Sequence, residues 1–388
     1  FAGVNGSGKH NNWSMATDAG VNLLTPGDTP FENAQFLLFL CAVIKAVDDY
    51  QDLLRLSVAS AGNDHRLGAN EAPPAVVSIF LGDELMAVLD AIENDKTLGA
   101  AERTVMKLGA HVLPKFTRDT TDRNRTSPFA FTGNKFEFRM LGSSNSIAGA
   151  NIMLNAAVAE SLKVYADRLE SAADFETALH DLIKETIKTH KRIIFNGNGY
   201  DDAWIKEATE KRGLLNLRTT PDALAHFCDE KNVRMLTAHK IFSKAEIESR
   251  YEINLENYCK TVNIEALTMI DMAKKEILPA VLSYSAELSD TLLKKKAALP
   301  ELACAFESKT VARLSVLSDE IGKAIEGLEA AVVKYRSVSD VAKAADLIRD
   351  LILQKMAELR VVCDEAEGLT AKKYWPFPTY SDLLFGVR

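Results

Sequence analysis

The sequence predicts an α+β fold, in which antiparallel strands with helices precede a largely α-helical C-terminal region. Three observations predict it. The chain opens on a glycine-rich segment. One stretch, Asn134 to Leu141, alternates in two-residue steps, the period of a half-buried strand. From Ser144 onward the apolar residues recur at helical spacing. At 388 residues the chain can bury a large core and form more than one domain. The division is expected near residue 170, with a mixed part over 1–170. Over 171–388 a helical region is expected, with a hairpin or bundle and an aromatic, proline-containing tail.

The elements follow in order. Asn5-Gly6-Ser7-Gly8-Lys9-His10 nearly mimics a phosphate-binding P-loop. Gly3, Gly8 and Lys9 fit that pattern, but His10 stands where a Mg²⁺-binding hydroxyl is required, and Asn11 to Ser14 make a poor first helical turn. The segment is therefore expected to hold backbone amides and one imidazole around a ligand. Thr29-Pro30-Phe31-Glu32 reads as a capping box with proline at the first helical position. It would start a deeply buried helix running to about Ala59, with Gly62 as its stop. Leu81 to Leu108 reads as helical. In the alternating strand, Lys135, Glu137 and Arg139 share one face, while Phe136, Phe138 and Met140 point into the core.

Ala148 to Leu169 reads as an alanine-rich helix, and Phe195-Asn-Gly-Asn-Gly-Tyr200 as a turn cluster between helices. Ser243-Lys-Ala-Glu246 is a second capping box. Asn254 to Ala298 carries a long helical pattern, interrupted or kinked at Pro279. Two more helices span Glu301 to Val332 and Ser337 to Glu365. Leu347, Ile348, Leu351, Ile352 and Met356 recur there at the spacing of a hairpin or bundle. Pro376 and Pro378 preclude a helix in the tail.

Composition excludes several classes of function. A formal net charge of −8 argues against non-specific nucleic-acid binding and against a basic membrane-surface role. No apolar run approaches the roughly 18–20 residues that a spanning helix needs. The best candidate, Phe36 to Val47, is short and contains Lys45. Neither nucleic acid nor membrane is therefore expected as a partner. The 5 cysteines form no metal pattern and no disulfide framework, which suits a reducing, cytoplasmic setting. The sequence starts at Phe1, without methionine and already inside a motif, and is expected to be part of a longer protein.

Four motifs in order carry a resemblance: Asn-Gly-Ser-Gly-Lys-His at 5–10, Arg-Leu-Gly-Ala-Asn-Glu-Ala-Pro-Pro at 66–74, Asn-Arg-Thr-Ser-Pro-Phe at 124–129 and Gly-Asn-Lys-Phe-Glu-Phe-Arg-Met at 133–140. Together they resemble the glutamine synthetase family. The ending Tyr374-Trp-Pro-Phe-Pro-Thr-Tyr is similar to that of the long type III class. The resemblance covers essentially the whole chain and makes 1–170 the C-terminal portion of the catalytic domain. It implies ATP-dependent ligation of ammonia to glutamate through a γ-glutamyl phosphate, with Mg²⁺ or Mn²⁺ as cofactor. It also implies assembly of copies of the chain into a ring, a dodecamer in the family.

The resemblance assigns roles residue by residue. His10 and Glu137 would hold one divalent ion; an imidazole suits Mn²⁺ better than Mg²⁺. Arg66 and Arg139 would clamp glutamate, because a guanidinium fork meets a carboxylate bidentately. Asn5 and Gly6 would touch the amino acid with side chain and backbone. Glu71 would be the flap carboxylate that attracts ammonium and accepts its proton. Arg125 and Lys135 would supply cations on the phosphate and nucleotide side. Taken alone, His10 reads as a loop hydrogen-bonding group, Arg66 as half of a surface ion pair and Glu71 as a loop residue.

The chain departs from the family in two places. Phe129 and Ala130 occupy the stretch about five residues beyond Arg125 where another phosphate arginine is expected, and Asn12 stands where some relatives carry a second histidine. The remaining metal glutamates and the ammonium-site aspartate would lie before Phe1. Two other readings stand beside this one: a γ-glutamyl-amine ligase of the same superfamily, and a non-catalytic helical assembly protein.

Overall fold

A computed structural model describes residues 8–96 and 126–386, together with the backbone of 105–106 and 116–117. The chain forms two compact units, 1–251 and 252–388.

In the first unit, β1 (Gly8–Trp13), β2 (Ile79–Phe80), β5 (Phe129–Phe131) and β6 (Phe136–Gly142) form one sheet in the order β1-β6-β5-β2. The short strands β3 (Val105–Met106) and β4 (Phe116–Thr117) pair separately. β6 is antiparallel to both neighbours, and β2 runs parallel to β5. The alternation in β6 places Phe136, Phe138 and Met140 at 0% exposure. Phe129 stacks on Phe136 with ring centroids 4.8 Å apart, and Phe131 meets Phe136 edge-on at 5.2 Å. Phe36 tilts onto Phe131 and so seats a helix on this aromatic layer.

That helix is α1 (Ala34–Asp49), and it differs at both ends from the sequence expectation. Pro30–Glu32 is a single 3₁₀ turn, and Thr29 makes no side-chain cap. Asn33 caps instead, its Oδ1 accepting from Phe36 N at 3.0 Å while its amide donates to the Thr25 and Pro26 carbonyls. The helix is interrupted at Tyr50, and α2 (Gln51–Leu56) follows. Buried polar side chains of α2 bond distant backbone rather than solvent: Arg55 Nε donates to the Leu217 carbonyl at 2.7 Å, and Leu215 N donates to Gln51 Oε1 at 2.7 Å. Gly62 is not a stop, since it lies inside α3 (Ala61–Arg66), which Ser60 caps.

α4 (Asp83–Glu93) is the helical part of the 81–108 expectation, and Val105 and Met106 are extended. α5 (Ile147–Glu170), capped by Ser146, matches the alanine-rich reading. It packs against α1, as does α6 (Phe175–His190). α7 (Asp202–Lys206), α8 (Thr220–Ala225) and α9 (Glu230–Ala238) complete the layer.

α10 (Lys244–Met272) begins at the reciprocal Ser243–Glu246 capping box, with Ser243 N donating to Glu246 Oε2 at 2.8 Å and Glu246 N to Ser243 Oγ at 3.3 Å. A π turn over Ala273–Ile277 then leads into α11 (Leu278–Ala298). Pro279 is the second residue of α11, just past that turn, where the widened hydrogen-bond ladder tolerates its missing N–H. In the second unit, α12 (Ala305–Arg336) packs between α11 and α14 (Leu353–Leu369), with α13 (Val341–Leu347) joined to α14 by another π turn. Leu314, Leu317, Ile321, Ile325 and Leu328 form the buried seam of α12 at three- and four-residue steps. Tyr374 of the tail meets Tyr284 of α11 at 5.6 Å, and α15 (Tyr380–Phe385) follows the prolines.

Candidate active site

The site is built on the polar face of β6 and the two segments beside it. β1 pairs with β6 from Gly8 opposite Gly142 to Trp13 opposite Phe136, and the register shifts between Lys9 and Asn11. His10 therefore sits on a bulge, which re-aims a side chain relative to a regular strand. Its Nδ1 lies 3.3 Å from Glu137 Oε2. The same oxygen accepts from both Nε and Nη2 of Arg139 at 3.1 Å. Arg139 is buried, 3% exposed, whereas Glu137 is half-buried and His10 exposed. One carboxylate thus joins an imidazole at the rim to a guanidinium beneath it.

Arg66 closes the far side. Its Nη1 donates to the Met140 carbonyl at 3.0 Å and its Nη2 to the Arg139 carbonyl at 3.2 Å. Asn63 braces the same point, donating to the Val58 and Met140 carbonyls. Burial pulls the Arg66 guanidinium below its ordinary value, and Tyr200 opposes that pull. Gly8 makes room for it: a Cβ there would lie 2.0 Å from Arg66 Nη2. Arg66 is thus directed onto the backbone of β6, next to Arg139.

Glu71 lies five residues beyond α3, exposed, in a loop closed by Gly68 N donating to the Pro73 carbonyl at 2.9 Å. Its φ of 60° is left-handed, which is uncommon for a residue with a side chain. Lys135 is half-buried on the β5–β6 turn, where its carbonyl accepts from Thr132 N at 2.8 Å. Asn5, Gly6 and Arg125 lie outside the described residues.

Sequence reasoning treated 195–200 only as a turn, yet this loop is tied to β2 and to the chain just before β5, on the sheet that carries the site. Phe195 N donates to the Ile79 carbonyl at 2.8 Å, and Asn196 Oδ1 accepts from Leu81 N and Gly82 N. Gly199 N donates to Thr126 Oγ1 at 3.1 Å. The only local signal was the pair of glycines, and it did not name a partner. Two acidic clusters, Asp48-Asp49-His190 and Asp52-His226-Asp229, lie elsewhere and already face cations, Arg192 on Asp48 and Lys231 on Asp52. No helix among the described residues is long and apolar enough to cross a membrane.

Comparison with known proteins bears on what this arrangement serves. Residues 178–296 match the family model described as the glutamine synthetase C-terminal domain. Over 396 aligned residues the chain is 46% identical to a glutamine synthetase of Butyrivibrio fibrisolvens, covering 100% of this chain and 55% of that protein. By sequence, the chain is similar to glutamine synthetases along its length. A type-3 glutamine synthetase of Dictyostelium discoideum is 42% identical over 99% of this chain and 53% of its own length. A glutamine synthetase of Bacteroides fragilis is 40% identical over 99% and 54%. The chain therefore spans about half the length of the curated relatives it matches.

Proposed function

We propose that this chain supplies part of the active site of an ATP-dependent glutamate–ammonia ligase, which joins ammonia to the γ-carboxylate of glutamate through a γ-glutamyl phosphate. The observation that carries the reading is the meeting of His10 and Arg139 on one oxygen of Glu137, in a chain similar along its length to glutamine synthetases.

His10 and Glu137 fit a divalent ion. Two ligand atoms each about 2.0–2.2 Å from one ion lie roughly 3.0–3.5 Å apart, and theirs are 3.3 Å apart. Nitrogen beside oxygen suits Mn²⁺ at least as well as Mg²⁺. Such an ion would offset phosphate charge when bound. Arg139, seated under Glu137, would take the substrate carboxylate, while Arg66 holds the β6 backbone that carries it. Glu71, on its exposed left-handed turn, would receive the ammonium proton. Arg125 and Lys135 would serve the nucleotide phosphates, and Asn5 and Gly6 the amino acid. Assembly with further copies of the chain belongs to the same proposal.

The test is conversion of ammonium to glutamine with ATP, glutamate and Mg²⁺ or Mn²⁺. It is run on the chain alone and on the chain joined to the remaining stretch of its Butyrivibrio relative. The joined protein should make glutamine and the chain alone should not. A joined protein that folds and binds ATP but makes no glutamine, or one that prefers a diamine to ammonium, overturns the reading.

A further inference from the structure

We propose, resting on the reading of His10 and Glu137 as one divalent-ion pair, that Asn151 and Asn155 of α5 are positioning residues. They grip β1 from behind through Asn11 and Trp13, and so fix where the His10 imidazole meets the Glu137 carboxylate. Both asparagines lie outside the four motifs.

β1 needs such a grip. It ends the sheet order β1-β6-β5-β2, so β6 is its only strand neighbour among the described residues. Its ladder is also broken at the residue that matters. Lys9 pairs with Leu141 and Asn11 with Phe138, which leaves His10 facing both Arg139 and Met140. The extra residue disrupts the ladder locally. A slip of one residue would turn every side chain of β1 to the opposite face and carry His10 away from Glu137.

The two faces of β1 divide the work. On one, His10 Nδ1 lies 3.3 Å from Glu137 Oε2. On the other, Asn11 Nδ2 donates to Asn151 Oδ1 at 2.7 Å, and Trp13 Nε1 donates to Asn155 Oδ1 at 2.8 Å. Side chains two apart on a strand share a face, as do side chains four apart on a helix. Two strand steps advance about 6.4–6.8 Å and four helical steps about 6 Å, so both rungs can close at once. Asn11 is 4% exposed, and its amide has no water to replace the helix. Before His10, Lys9 Nζ donates to the Asn145 carbonyl at 2.6 Å. His10 is thus tied on both sides to α5 and the turn that leads into it.

That base is itself fixed. Asn145 N donates to the Gly142 carbonyl at 3.0 Å, Ser146 Oγ caps Ala148 N at 3.2 Å, and Ala150, Leu154 and Ala157 are buried as α5 packs on α1. Metal sites hold their ligand distances within about 0.2 Å, so an edge strand free to shift would weaken a site that depends on it.

The experiment uses three variants. Asn151→Leu keeps the size of the side chain and removes its polar atoms. Asn155→Ala removes the acceptor of the Trp13 indole at an exposed position, and decides the matter if Asn151→Leu unfolds. Asn155→Asp restores that acceptor. In the chain, amide exchange over 9–13 should rise roughly 2- to 10-fold in each of the first two, as expected for one net hydrogen bond, with α1 unchanged. At fixed pH the imidazole ¹⁵N signals of His10, assigned with His10→Ala, should move in both and return in Asn155→Asp. A bond that only stabilised the fold would quicken exchange and leave those signals in place. In the joined protein, electron paramagnetic resonance of free Mn²⁺ should show its dissociation constant raised roughly 3- to 10-fold, less than the loss of a partner bonded directly to a ligand. Unchanged exchange over 9–13, or His10 signals unmoved in both variants, overturns the proposal. If His10→Ala binds Mn²⁺ as tightly as wild type, the metal reading fails and the imidazole signals still decide the positioning. If Mn²⁺ binding needs His10 but neither variant weakens it, the positioning role alone fails.

Discussion

Replacing Glu137 by glutamine separates the two jobs assigned to this carboxylate. In the absence of metal it neutralises Arg139, which is 3% exposed and whose guanidinium gives two hydrogens to one oxygen at 3.1 Å. Glutamine keeps an acceptor of nearly the same shape and removes the charge. Hydrogen bonds to charged groups contribute about 1.5–3 kcal/mol, and breaking a fully buried ion pair costs about 3–5 kcal/mol. The Glu137 side chain keeps 18% of its exposure, and an amide still accepts, so the expected loss lies near the lower end of the first range. We expect about 1–2 kcal/mol. Urea unfolding followed by tryptophan fluorescence reads it, because Trp13 is paired with Phe136 in this sheet. The two compact units call for separate transitions in the fit. The second job appears on adding Mn²⁺. At about 100 times its dissociation constant, a ligand that binds only the folded state stabilises it by about 2.7 kcal/mol. Wild type should gain this amount, and Glu137→Gln and His10→Ala should not. An apo-state loss under about 0.5 kcal/mol would show that Glu137 does not hold Arg139. Full Mn²⁺ stabilisation in both variants would remove the pair from metal binding.

Three further outcomes are expected. In the joined protein, Arg139→Lys should lower kcat/KM for glutamate by roughly 10- to 100-fold with the fold intact, since one charged bidentate contact is worth about 1.5–3 kcal/mol; steady-state kinetics decide, and an unchanged glutamate response removes Arg139 from the clamp. Gly199→Ala should cost about 1–3 kcal/mol in urea unfolding, because its methyl group would meet the Thr126 carbonyl at 2.6 Å; a neutral variant would show that the loop approach is slack. Native thiol labelling at pH 8 should modify the exposed Cys228 first, while burial pushes the Cys41 thiol up to about 12 and those of Cys259 and Cys363 to about 11. Labelling of Cys41 as fast as Cys228 would refute its burial.

What could be read from the sequence divides by the range of the interaction responsible. The alternation of β6 was legible because its period is local, and the same holds for α5 and for the Ser243–Glu246 box, where the cap and its partner are three residues apart. Thr29 and Asn33 show where local rules stop. Both offer an oxygen near a helix start, and the contest is settled by the Thr25 and Pro26 carbonyls that hold the Asn33 amide. Gly62 looked like a stop, but the chain turns earlier, where Gln51 and Arg55 bond backbone at 215–217. The His10–Glu137 contact spans 127 positions, and only the resemblance put the two residues in one site; spacing alone could not. Gly199 belongs to a third case. Its neighbours announce a turn, but its partner Thr126 lies 73 positions upstream, and no pattern within either segment encodes that meeting. A motif reading selects residues that touch ligands and passes over residues that hold those residues in place. In this chain the second kind, such as Asn63 behind Arg66, lies outside every motif or at its edge, where only the packed structure can point to it.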